Sequence, residues 1–161
     1  MHLLKLLTQA VCAVTLLFAA GQSAAQQRPS YGPQITLETA KKIAAGALAE
    51  ARRNNWNVAV AVLDGHGMLI YYEMMDDTQT ASATIAIEKG RTAATYRRPS
   101  KAFEDGISKG RVAILGLPGV TPIEGGLPVY SGGKIVGGVG VSGVNSDQDA
   151  QIAQAGLDAL K

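Results

Sequence analysis

Cysteine occurs once in the 161 residues, at Cys12. It lies in an apolar N-terminal run, so once that run is set aside the rest of the chain has no thiol. Disulfides, thiolate catalysis and Cys-ligated metals are then excluded. Histidine is almost as scarce: only His2 and His66 are present. One protomer cannot build a multi-histidine zinc site from these, although a symmetric oligomer could gather several copies of His66. Aromatic residues make up 5% of the chain, too few for a base-stacking platform. Neither sign of charge is in surplus. The formal net charge is +2, and without Lys5 the balance is 14 basic to 13 acidic residues. A nucleic-acid-binding face needs a basic excess, so no nucleic-acid partner is expected.

The first 25 residues read as a secretory signal. Lys5 supplies the basic start, Leu6 to Ala20 the apolar stretch, and Ser23-Ala24-Ala25 a small-residue cleavage site before Gln26. The apolar stretch is too short for a confident membrane span, so no stable membrane anchor is expected after cleavage. Val11 before Cys12 argues against a lipoprotein anchor. Export without disulfides points to a periplasmic or secreted location. Residues 26–161 suit one domain with one core. Within them, 26–34 is polar with Pro29 and Pro33 and reads as a flexible lead-in, leaving 35–161 as the folded unit.

Thr36 is a plausible helix N-cap. Leu37, Ala40, Ile43, Ala44, Ala47, Leu48 and Ala51 follow at helical spacing. Val58 to Leu63 is a continuous apolar run that reads as a central strand. Asp64 to Gly67 is a turn, and Met68 to Glu73 a second strand, with Tyr71 and Tyr72 on opposite faces. Ser82 to Tyr96 reads as a helix with Ile85, Ala86, Lys89, Ala93 and Tyr96 spaced along it. Gly90 within it suggests close packing against a neighbour rather than a break. Pro99 ends the pattern, and Ser100 can cap a short helix over 101–107. The segment 116–126 is a long loop, of a length that is usually functional or interfacial. Leu127 to Tyr130 and Lys134 to Val141 form another hairpin. Ser146-Asp147-Gln148-Asp149 resembles a capping box, with Asp149 in the place of Glu, and opens a last helix. The order predicts an α+β fold: an antiparallel sheet flanked by helices.

Three local motifs carry competing readings. Gly138 to Gly143 matches G-x-G-x-x-G, but no strand with an acidic residue can follow it in the chain that remains. No nucleotide cofactor is expected, and the glycines read as a strand end packed close to another element or to a ligand. Ser142 lacks the second glycine of a nucleophile elbow. His66 is either an exposed turn residue or an axial ligand to iron. Met74, Met75, Tyr71 and Tyr72 are nearby alternatives as donors or pocket walls.

The stretch from Arg97 to Gly143 contains R-R-P-S-K-A-F-E-D-G, L-P-G-V-T-P-I-E-G-G-L-P-V and G-G-V-G-V-S-G. These motifs resemble the signature of the GlcG/HbpS-like family of small haem-binding or haem-degrading domains, also found at the C-terminus of PduO-type proteins. The resemblance runs from about Ile35 to Leu160. It implies a profilin-like or PAS-like layered domain that assembles into homo-oligomers. It also implies haem, or a related tetrapyrrole, as ligand and cofactor, with capture, sensing or slow degradation as the role. Haem-binding members carry a histidine near the start of the first helix, and the chain departs from that pattern, since 35–45 contains none.

Arg98, Lys101 and Glu124 match the family's charged positions. They read either as ion pairs that pin the long loop to the short helix or as an anion pocket. In the pocket reading Arg98 or Lys101 holds a carboxylate or a haem propionate. Pro122, Gly125, Gly126, Gly140 and Ser142 form the walls. A rival function is a cofactor-independent enzyme on a small organic acid, with Glu124 as catalytic base. A further alternative is a structural oligomer without a ligand.

Overall fold

The computed structural model describes residues 27–161. The leader expected over 1–25 lies outside the described residues. Thr36 caps helix α1 (Leu37–Arg53) by accepting a hydrogen bond from the Thr39 amide. Four strands follow the expected order: β1 (Ala59–Asp64), β2 (Leu69–Met74), β3 (Gly126–Ser131) and β4 (Lys134–Ser142). Helix α2 (Ser82–Tyr96) and the short α3 (Lys101–Ser108) lie between the hairpins, and α4 (Ser146–Asp158) closes the chain. The strands form one antiparallel sheet in the order β2-β1-β4-β3. This is the α+β architecture that the sequence predicts. The long loop runs between elements as expected, entered from a 3-10 turn over Val112–Gly116 and left at the start of β3.

The two faces of the sheet are built differently. β1 is buried along its whole length, as its unbroken apolar run predicts. Val58, Val60 and Val62 join Ile43, Ala47, Leu48, Val139, Val141 and Ile152 in the larger core, under α1 and α4. Ala59, Ala61 and Leu63 point the other way and meet Ala86 of α2. Tyr71 and Tyr72 divide between the same two clusters. Small residues on the α2 side let helix and sheet touch main chain to main chain. A Cβ on Gly140 would stand 2.0 Å from the Ala86 carbonyl oxygen, and one on Gly90 would stand 2.5 Å from the Leu63 side chain. The G-x-G-x-x-G match is thus a packing feature in its first half. Gly140, expected in a ligand pocket, lies beneath α2, where backbone already fills the space a ligand would need.

The segment expected as a flexible lead-in runs beside β4. The Ile135 amide donates to Ser30, the Gly32 amide donates to Ile135, and Tyr31 bridges Ile135 in parallel. The Tyr31 hydroxyl donates to the Thr95 carbonyl at 2.8 Å, and the Arg97 guanidinium lies over its ring.

Candidate functional site

The charged signature resolves into ties between α3 and the long loop. Lys101 reaches Glu124 at 3.0 Å and Asp105 at 3.4 Å. The Glu124 amide donates to the Glu104 carboxylate at 2.7 Å. Ser100, expected to cap α3, makes no capping bond. Its hydroxyl instead donates to the Ile123 carbonyl at 2.6 Å and accepts from the Gly126 amide at 2.9 Å. A buried hydroxyl satisfies loop backbone here, which a helix end open to water does not require. Arg98 stands apart from Glu124. Its guanidinium lies 4.9 Å from the centre of the Phe103 ring, and burial, then the neighbouring Arg28, Arg111 and Arg97, lower its pKa. Tyr96 and Thr92 hold the far side of the loop, through the carbonyl of Pro118 and the amide of Thr121. The Lys101 ammonium thus stands directly against the Glu124 carboxylate. Pro122 belongs to the same pinned loop.

His66 is exposed at the tip of the β1–β2 turn. Asp64 organises that turn, its carboxylate accepting from the amides of His66 at 2.8 Å and Met68 at 2.9 Å. His66 lines none of the described cavities.

The largest described cavity, about 640 Å³, opens between the start of α1 and the end of β3. Ile35, Val129, Val136 and Leu160 give it an apolar floor, while Lys42 and Tyr130 supply a cation and a phenol. Sequence reasoning did not find this cleft, because its walls come from distant parts of the chain. Among the described residues no cluster of three His, Cys, Asp or Glu side chains could hold a metal ion.

A second feature that sequence reasoning missed is the pair Lys89 and Asp149. Their side chains are each 2% exposed, and Nζ stands 2.7 Å from Oδ2. Asp149 was expected in a capping box. The cap lies one residue earlier, on Asn145 with Gln148, which frees Asp149 to turn inward. Burial raises the pKa of Asp149, and the Lys89 ammonium opposes part of that rise. Gly125, with φ of 120°, closes over the pair, and a Cβ there would meet Lys89 Nζ and Asp149 Cβ at 2.9 Å each. Lys89 does stand on the stripe of α2 that the sequence marks as inward-facing, which is the one signal available for it.

The family model for haem-degrading, HbpS-like proteins matches residues 35–158. The chain belongs to the HbpS-like family. Among its relatives is protein GlcG of Escherichia coli K12, 43% identical over 108 residues, which cover 67% of this chain and 81% of GlcG. A 15.0 kDa Citrobacter freundii protein from the dhaT-dhaS intergenic region is 35% identical over 131 residues, covering 78% and 92% of the two chains. The fold matches a double mutant of Streptomyces reticuli HbpS with a TM-score of 0.75 at 30% identity, over 88% of this chain and 98% of that one. It also matches the PduOC:haem complex with a TM-score of 0.72 at 24% identity, over 78% and 94%. The HbpS-like match spans the loop ties, the Lys89–Asp149 pair and all of the α1 cleft's lining except Pro33, Gln34 and Leu160.

Proposed function

We propose that this chain is an exported HbpS-like protein that captures haem or a related tetrapyrrole in the cleft between α1 and β3, and that it works as a homo-oligomer. The observation that carries the reading is the cleft itself. Its volume of about 640 Å³ and its apolar floor suit a flat macrocycle. Lys42 at the rim suits an acidic side group, and the Tyr130 phenol is an oxygen donor of a type that ligates haem iron. Tyr130 is 48% exposed, so ligand access needs no opening of the fold. Bound haem would supply an iron centre whose coordination the protein tunes. Family membership and the likeness in fold to a haem complex support the same ligand class.

Haemin titration followed by absorbance tests the proposal. The expected result is a saturable Soret shift that is lost or displaced in Tyr130→Phe and unchanged in His66→Ala. The absence of any saturable shift would overturn the haem reading. Loss in His66→Ala alone would move the site to the β1–β2 turn.

A further inference from the structure

A separate cavity of about 330 Å³ lies between the start of α2, the end of β4 and the start of α4. Lys89 and Asp149 line it. An ion pair this deeply buried contributes little net stability, because desolvation of two charges offsets their attraction. Its two partners are also unequally used. Asp149 accepts from Lys89 through Oδ2 and from the Val144 amide through Oδ1. Lys89 donates only to Asp149 among the described residues, leaving two of its three N–H groups unspent.

Two hydroxyls face the same space. Ser82 and Ser142 are 1% and 6% exposed, and both line the cavity. Neither hydroxyl is hydrogen-bonded to another described residue. No fully buried side-chain polar atom of the described residues lacks a partner, so both hydroxyls reach the open cavity, where water or a ligand completes them. Ser146, at the first turn of α4, brings backbone amides and the positive end of the helix dipole to the same wall. The cavity thus presents a surplus of donors, and its single carboxylate is already engaged.

We infer that this cavity binds a small carboxylate of two to five carbons, held by Lys89, Ser82 and Ser142. The donor set calls for an oxygen acceptor carrying negative charge. The volume is about half that of the α1 cleft, which excludes a tetrapyrrole and keeps the two sites distinct. Ile85, Ile123 and Val144 add apolar side chains to the lining, so part of the ligand meets apolar surface.

The test is an NMR titration of the protein with sodium lactate and sodium malonate, with chloride and phosphate as controls at matched ionic strength. Saturable shifts of the Gly143, Val144 and Ser146 amides are expected with the carboxylates only. Ser142→Ala and Ser82→Ala should each weaken binding about tenfold, the loss expected for one hydrogen bond to a charged group, with little change in Tm. The double variant Lys89→Met/Asp149→Leu removes both charges together, so the fold is retained while binding is abolished. Absence of saturable shifts, unchanged affinity in Ser142→Ala, or equal shifts with chloride or phosphate would each overturn the inference. Haemin binding by Ser142→Ala should match the unsubstituted protein, so failure here leaves the haem reading untouched.

Discussion

Lys101 stands between two carboxylates, and its hydrogen bond to Glu124 is the main cause of its raised pKa. The sign follows from linkage. A lysine whose folded pKa is raised stabilises the fold below its ordinary value, and that contribution is lost as pH climbs through the raised one. The window is therefore alkaline, and the effect is small because Lys101 is 48% exposed. Titration of the Lys101 side chain by NMR should give a midpoint above that of an ordinary lysine, falling back in Glu124→Gln. Identical midpoints would show that the bond does not persist in solution. At this scale the sequence was only partly informative. Lys101 and Glu124 stood out because charge beside Pro and Gly is conspicuous. Lys89 and Asp149 did not, because a lysine on a helical stripe and an aspartate near a helix start each have an ordinary local explanation. Their pairing spans 60 residues and exists only after folding.

Elements were far more legible than sites. Each helix and strand announces itself through periodicity within a short window, and that information needs no tertiary partner. The errors lie at element ends, where side chains choose between local backbone and distant groups. Ser100 abandons the end of α3 for the loop, and the cap of α4 moves from Ser146 to Asn145. The glycine-rich β4 was read correctly as a surface of close approach, but the approaching body is α2 rather than a ligand. Gly140→Ala tests that assignment. The added methyl meets the Ala86 carbonyl oxygen, and overpacking of this kind costs about 3 kcal/mol. Urea unfolding should show a lower midpoint with an unchanged m-value, and an unchanged midpoint would mean that α2 stands farther from the sheet.

For the whole molecule, the proposed export and assembly can be checked on one preparation. The periplasmic fraction should contain a species whose intact mass begins at Gln26, and light scattering should give a multiple of the protomer mass. Val112, Leu115 and Leu117, exposed on and just after the 3-10 turn, offer apolar surface for such contacts. A full-length mass or a protomer-sized particle would contradict the respective proposal. The unequal faces of the sheet also constrain how the protein can drift under selection. On the α1 and α4 side, the branched side chains of Val58, Val60, Val139, Val141, Ile43 and Ile152 pack on one another, so a loss of volume at one position can be suppressed at the next. Under α2 the obstacle to growth at Gly140 is main chain, and no second-site change of side chain can make room for it. Descendants of this sequence can therefore trade volume among the valines under α1 and α4, while Gly140 under α2, like Gly156 against the Ile43 carbonyl of α1, has to stay the smallest residue.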